Sequence, residues 1–333
     1  MKILLIGGTQ FIGPYVVKNL LESGHEVIVF HRGKINNLHS NVKHILGDRN
    51  NLINYLEEFK KISPDVVLDM IPYKEQHAID VLNVFKGITK RIVAISSGDV
   101  YFSYDVIIKN EPGPIDPNLI SEHSKLRETL FPNRKKGDIS YDKIPIENLI
   151  LNNKEIAGTV LRLPVVYGPN DSQHRFFNYL KRMEDKRSFI FLEEGFSNFR
   201  WTHGYVEDVA QAITLAVTHN RASGKVYNVG QLNVPTMVDL ISGIGRLSGW
   251  DGEVIKVPGT YLPEHLRPHD LNTSQNLVYD TSLIRSDIGY EEICSLEEGL
   301  IKTIEWERIN PKNYNIDDFN YIIEDELYKQ ITK

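Results

Sequence analysis

Residues 2–13 read Lys2-Ile3-Leu4-Leu5-Ile6-Gly7-Gly8-Thr9-Gln10-Phe11-Ile12-Gly13. A short apolar run ends in two glycines, and apolar residues then recur at helical spacing through Phe11, Tyr15, Val16, Leu20 and Leu21 until Gly24 closes the helix. A second apolar run, Glu26 to Phe30, completes a strand-helix-strand unit. Glycines between such a strand and helix let backbone N–H groups approach a pyrophosphate, and the helix N-terminus supplies partial positive charge. Gly7 permits the tight turn and Gly13 the close packing of helix on strand, while Gln10 stands where such loops usually carry a middle glycine. The stretch therefore reads as a dinucleotide cradle, with Gly7, Gly8, Gln10, Phe11, Ile12 and Gly13 as cofactor-binding candidates.

Further apolar runs follow at Val42 to Leu46, Val66 to Met70, Arg91 to Ser96 and Gly158 to Leu163. Short apolar strands alternating with helical periodicity predict an α/β fold, a Rossmann-type doubly wound parallel sheet with helices on both faces. Beyond residue 170 the alternation weakens. Helices are expected at Val209 to Val217 and Pro235 to Ser248, a strand at Val226 to Val229, and a long loop at Asp251 to Asn276. A last helix is expected from Ser295 to Arg308, opened by a Ser295/Glu298 capping box. The 333 residues allow about two domains at roughly 150 residues each. They are expected to interleave, with 1–169 plus 203–232 binding the cofactor and 170–202 plus 233–333 forming a smaller substrate lobe.

The formal charge of −6 argues against a general nucleic-acid binder, which needs a basic face. The single cysteine, Cys294, excludes an intramolecular disulfide and a thiolate metal cluster, and no histidine spacing suggests a metal site. No apolar run approaches a membrane span, so no membrane association and a cytoplasmic location are expected.

At the end of the second strand an acid would bind the ribose 2′-hydroxyl of NAD, whereas a basic residue accommodates the 2′-phosphate of NADP. The sequence there is His31-Arg32-Gly33-Lys34, without an acid. NADP is the expected cofactor and NAD the alternative, with His31, Arg32 and Lys34 as ribose-end candidates. Asp48 follows the third strand, where a carboxylate can accept a hydrogen bond from the adenine amino group.

Several motifs together resemble the extended and atypical short-chain dehydrogenases/reductases, the NAD-dependent epimerase/dehydratase type. They are residues 7–13, Gly47-Asp48, Ser96-Ser97-Gly98-Asp99-Val100-Tyr101, Arg162-Leu163-Pro164-Val165-Val166-Tyr167-Gly168-Pro169, and Tyr205-Val206-Glu207-Asp208-Val209-Ala210. Val226-Tyr227-Asn228-Val229-Gly230 and the stretch from Asp280 to Leu300 continue the order, so the resemblance covers nearly the whole chain. The glycine pattern without a middle glycine resembles the atypical branch.

The resemblance implies hydride transfer at a nicotinamide, with a Tyr/Lys pair in which the lysine lowers the tyrosine pKa and binds the nicotinamide ribose, and a serine that orients the reacting oxygen. Ser97 matches the serine, and Lys143 with Glu147 matches the lysine spacing. The family's Tyr-x-x-x-Lys is absent, because the residue four before Lys143 is Ile139. Pro145 is tolerated only in a first helical turn, so the helix is expected to begin near Asp142 as N-cap. Tyr141 then precedes the helix, where its ring can swing into the usual tyrosine's place, giving Ser97, Tyr141 and Lys143 as catalytic candidates.

By the same resemblance the substrate is a nucleotide sugar, with Arg200 and Arg267 on its phosphates and Tyr167 at the cleft. His203 and His269 lie nearby without a metal pattern. The expected activity is that of an NAD(P)-dependent epimerase, dehydratase or reductase. The alternative is a catalytically inactive dinucleotide-binding or RNA-associated protein, for which the basic run Arg134-Lys135-Lys136 is the one local argument. A homodimer is expected from the resemblance alone.

Overall fold

The computed structural model describes residues 1–33, 38, 40–132, 140–268, 270–315, 319 and 321–332. In chain order the elements begin β1 (Lys2–Ile6), α1 (Ile12–Glu22), β2 (Glu26–His31), β3 (Lys43–Leu46), α2 (Leu56–Ile62), β4 (Val66–Asp69), α3 (Glu75–Phe85) and β5 (Arg91–Ser97). They continue with α4 (Phe102–Ile107), α5 (Lys143–Leu151), β6 (Ala157–Leu163), β7 (Val165–Tyr167), α6 (Phe177–Glu184), β8 (Phe189–Glu193), α7 (Glu194–Asn198), β9 (His203–Tyr205) and α8 (Val206–Thr218). The last are β10 (Val226–Asn228), α9 (Met237–Ser248), β11 (Glu253–Val257), α10 (Ser282–Ile288), α11 (Leu296–Ile309) and α12 (Ile322–Ile331).

Seven strands form one sheet in the order β10-β6-β5-β4-β1-β2-β3, and every pairing is parallel. The order reverses between β1 and β4, which opens a crevice at their carboxyl ends, where such sheets bind ligands. Because strand side chains alternate in direction, β1 serves both faces. Ile3 and Leu5 join α1 and α8 through Val16, Leu20, Val209 and Ile213. Leu4 and Ile6 join α2, α3 and α5 through Phe59, Ala78, Val81, Ile146 and Ile150. Full burial of each such side chain contributes about 1.5–3 kcal/mol, so the central strands carry much of the stability.

Two short parallel pairs, β7 with β9 and β8 with β11, lie outside the main sheet. After β9 the chain returns through α8 and β10 to pair with β6. The expected loop at Asp251 to Asn276 is partly wrong: it contains β11 and a 3-10 turn at Glu264–Leu266. Only Val257 of β11 is buried, so the strand is held by pairing with β8 rather than by a strong pattern of its own. The expected capping box is present, with Ser295 accepting from the Glu298 N–H and Glu298 returning to the Ser295 N–H.

One close approach seats α5 on the sheet. A Cβ at Gly158 on β6 would lie 2.1 Å from the carbonyl oxygen of Ile150, near the end of α5. Gly158→Ala is expected to push α5 off the sheet and cost about 1–3 kcal/mol. The urea midpoint measures this, and an unchanged midpoint would contradict the close packing.

Candidate active site

The glycine turn closes against itself. Gly7 and Gly8 have φ of +88° and +92°, which side-chain-bearing residues rarely adopt, and a Cβ at Gly13 would come within 2.3 Å of the Gly8 carbonyl carbon. Phe11, at the N-cap of α1, makes no side-chain cap, so the first N–H groups of the helix are not satisfied by a capping side chain. Gln10 is exposed, which explains why the missing middle glycine is tolerated. Gly7, Gly8, Gln10, Phe11 and Ile12 line a cavity of about 540 Å³ together with His31, Arg32 and Asp48, while Gly13 packs beneath it. This glycine cradle, backed by a helix N-terminus, fits a dinucleotide diphosphate.

At the ribose end His31 is buried and Arg32 exposed. The His31 Nδ1 accepts from the Gly33 N–H at 3.1 Å, and its Nε2 lies 2.9 Å from His44 Nδ1. Burial and then the His44 neighbour lower the His31 pKa, so Arg32 is the charged group of this pair of positions near neutral pH. Lys34 lies outside the described residues, as do Arg134, Lys135, Lys136 and His269.

The expected helix start is observed. Asp142 is the N-cap of α5 and accepts from the Ile144 N–H at 3.0 Å, with Pro145 in the first turn. Its carboxylate pairs with Arg127, and both side chains are buried. Tyr141 therefore precedes the helix, and its hydroxyl donates to Asp99 Oδ2 at 2.6 Å. Ser97, at the end of β5, accepts the Asp99 N–H at 3.3 Å and also hydrogen-bonds the phenol. Lys143 donates to the carbonyls of Pro72 at 2.8 Å and Ile95 at 3.0 Å. Its ammonium lies 4.9 Å from the Tyr73 ring centre and 5.7 Å from that of Tyr141. The fold thus brings Ser97, Tyr141 and Lys143 together.

The electrostatics differ from those implied by the resemblance. The Tyr141 pKa is raised, first by burial and then by the Asp99 charge, with the Ser97 hydrogen bond opposing. Lys143 does not dominate because its ammonium is drawn onto two carbonyls while a carboxylate sits on the phenol. Burial lowers Lys143 to about 8 against the opposing charges of Asp99, Asp69 and Glu147. Asp99 is itself raised by burial, and its Oδ1 has no partner. Sequence reasoning missed Asp99, although its place two residues after Ser97 was the available signal.

The substrate candidates disperse. Tyr167 is buried, packed between Phe176 and Tyr205, so it belongs to the core and not to a cleft wall. Arg200 lines an open cavity of about 530 Å³ with Leu119, Val234 and Asn276, and its Nη1 donates to the Val234 carbonyl. Arg267 lines another, of about 690 Å³, with Asn178, Arg182, Glu193 and His265. The two arginines do not share a cavity. Arg182 was missed because it is the buried arginine on an otherwise ordinary amphipathic helix. His203 is buried with Nδ1 against the Trp201 carbonyl, and no group of three metal-ligating side chains occurs among the described residues. Nor, among them, is any helix long and apolar enough to cross a membrane.

The comparisons agree with this architecture. The family model described as NAD dependent epimerase/dehydratase family matches residues 3–118 and 121–230. A chloroplast stem-loop binding protein of 41 kDa from Arabidopsis thaliana is 25% identical over 266 residues, covering 75% of this chain and 64% of its own length. Among solved structures, UDP-glucose 4-epimerase from Thermotoga maritima, with UDP-glucose, superposes with a TM-score of 0.69 at 22% identity, covering 94% of this chain and 100% of that one. UDP-glucuronic acid 4-epimerase from Bacillus cereus, in complex with UDP-glucuronic acid and NAD, gives 0.67 at 21%, covering 93% and 100%. Both structures share the fold. With the family model matched across most of its length, the chain belongs to the NAD-dependent epimerase/dehydratase family of enzymes.

Proposed function

We propose that this chain is an NAD(P)-dependent epimerase, dehydratase or reductase acting on a nucleotide sugar. The observation that carries the reading is the convergence of Ser97, Asp99, Tyr141 and Lys143 at the carboxyl edge of the sheet, next to the glycine cradle. The cofactor unit is residues 1–169 with 203–232, and the substrate lobe is 170–202 with 233–333. Relatives whose structures hold NAD and UDP-sugars support the ligand classes. The absence of an acid at the end of β2, with Arg32 exposed beside His31, favours NADP over NAD.

A bound nicotinamide dinucleotide supplies the hydride donor and acceptor. The chain's residues supply the proton path. Ser97 and Tyr141 orient a sugar oxygen, and the phenol takes its proton as its own passes to Asp99 across 2.6 Å. The buried Asp99 is suited to receive it, because its pKa is raised and one carboxylate oxygen lacks a partner. The charges of Arg127 and Lys143 oppose that rise.

A second reading, association with RNA, draws on the name of the chloroplast relative. Salt-dependent retention on stem-loop RNA, without turnover of any nucleotide sugar, would favour it.

Native mass spectrometry of the purified protein tests the cofactor and substrate classes directly; neither dinucleotide nor nucleotide sugar retained, even after addition, would count against the proposal. Tyr141→Phe should lower kcat about 10²–10⁴-fold and leave dinucleotide affinity unchanged. Undiminished turnover would remove Tyr141 from the mechanism. Arg32→Ala should weaken NADPH, not NADH, in fluorescence titrations; equal effects would contradict the 2′-phosphate assignment. Since Asp99 must be ionised to accept a proton and its pKa is raised, kcat/KM should rise with pH through a limb above the ordinary carboxylate range. That limb should vanish in Asp99→Asn, and its persistence would exclude Asp99 as the acceptor.

A further inference from the structure

The loop after β4 runs from Met70 to Tyr73, and each N–H group in it is engaged away from α5. Met70 donates to the Ile6 carbonyl at 3.0 Å, Ile71 donates to Asp69 Oδ1 at 3.1 Å, and Pro72 carries no N–H. The Tyr73 N–H reaches His77 Nδ1 at 3.1 Å. With the donors so held, the carbonyls face the start of α5. Pro72 accepts from the Lys143 ammonium at 2.8 Å, and Tyr73 accepts from the Asp142 N–H at 3.2 Å. The Tyr73 ring lies over the same ammonium.

His77 is buried in the first turn of α3 and lines the cradle cavity. A backbone N–H can only donate, so Nδ1 is the lone-pair nitrogen and the ring proton sits on Nε2. That nitrogen lies 3.2 Å from Asn50 Oδ1, an acceptor, while Asn50 Nδ2 donates to Asp48 at 2.9 Å. The polarity of the chain from Asp48 through Asn50 and His77 to Tyr73 is thereby set. Burial first, and then the Arg49 charge, lower the His77 pKa to about 4, which leaves Nδ1 unprotonated near neutral pH. His203, also buried, presents its Nδ1 to the Trp201 carbonyl and so has the opposite polarity there.

We infer that His77 is a positioning residue for Lys143. By holding the Tyr73 N–H it fixes the far end of the loop, and the loop in turn holds the ammonium and the N-cap of α5. The inference rests on the proposed function above, with Lys143 on the nicotinamide ribose as the resemblance implies. Without the His77 acceptor the Tyr73 N–H loses its partner, and the loop can turn to solvent and carry the Pro72 carbonyl off the ammonium. A dinucleotide must then re-order the loop as it binds.

The test is calorimetric titration of NADPH and NADH, and of their adenosine halves adenosine 2′,5′-bisphosphate and AMP, into the wild type, His77→Leu, His77→Gln and His77→Asn. Melting temperature and circular dichroism verify folding. An asparagine oxygen stands about where Nδ1 does and can accept the Tyr73 N–H, whereas a glutamine amide reaches toward Asn50 instead. His77→Leu and His77→Gln should weaken the preferred dinucleotide about tenfold and its adenosine half less than about threefold, while His77→Asn should stay within about threefold of the wild type for both. Equal losses for dinucleotide and half would place the role of His77 at the adenosine end and overturn the inference. Rescue by glutamine rather than asparagine would overturn it too, as would unchanged dinucleotide binding in His77→Leu. A second measurement needs no variant: nitrogen NMR of the wild-type histidines should show a neutral His77 protonated at Nε2. A proton on Nδ1 would exclude the hydrogen bond to Tyr73 and with it the inference. A wild type that binds neither NADPH nor NADH would instead overturn the dinucleotide reading.

Discussion

The buried pair between Asp142 and Arg127 decides where Ser97, Tyr141 and Lys143 can meet. Asp142 begins α5, takes the N–H groups of Ile144 and Phe131, and donates its own N–H to the Tyr73 carbonyl at 3.2 Å. Arg127 returns from that carboxylate to the Asp99 carbonyl at 2.8 Å. One ion pair therefore fixes the helix start, the turn after β4 and the loop after β5 against one another. Removing one partner would leave an uncompensated buried charge, a loss of about 3–5 kcal/mol. Tyr141 and Lys143 flank Asp142 in sequence, so their separation is set by this cap rather than by a helical repeat.

That origin explains the altered electrostatics. On a continuous helix, residues four apart share a face, and a tyrosine there would meet the lysine directly. Here the phenol leaves before the helix begins and meets Asp99 instead. Lys143 turns inward to two carbonyls, and the main causes of the phenol's shift are burial and Asp99. The protonic partner of the tyrosine has become a carboxylate. Below α5, Glu147 locks to Arg162 and Ser96, so the face of the helix turned to the sheet is rigidly held while Lys143 stands in its first turn.

Much of this was legible in the sequence because it depends on local rules. The strand-glycine-helix opening, the parallel strands and the start of α5 at Asp142 follow from periodicity, glycine placement and the tolerance for Pro145. What escaped depends on contacts between distant residues. Asp99 looks like an ordinary loop acid until Tyr141, 42 positions away, is placed on it. Tyr167 ends a strand as a cleft residue would, but α11 and the rings of Phe176 and Tyr205 enclose it. Arg200 and Arg267 were grouped by the resemblance, and the folded chain separates them. The strand β11 has too little buried pattern to announce itself without β8.

Gly98 lies between Ser97 and Asp99, and a Cβ there would fall 1.3 Å from the hydroxyl oxygen of Tyr279. Tyr279 is bridged to Ile120 and receives support from Thr202, so it belongs to the seam where late chain segments meet the sheet. The loop after β5 and the distant segment thus share one small volume, and neither can be exchanged independently. A chimera that imports another C-terminal lobe must also match the shape of residue 279 to a loop it never touches in sequence. The seam is an inheritance constraint: new late segments can be grafted onto this sheet only with their own fitting piece for the loop after β5.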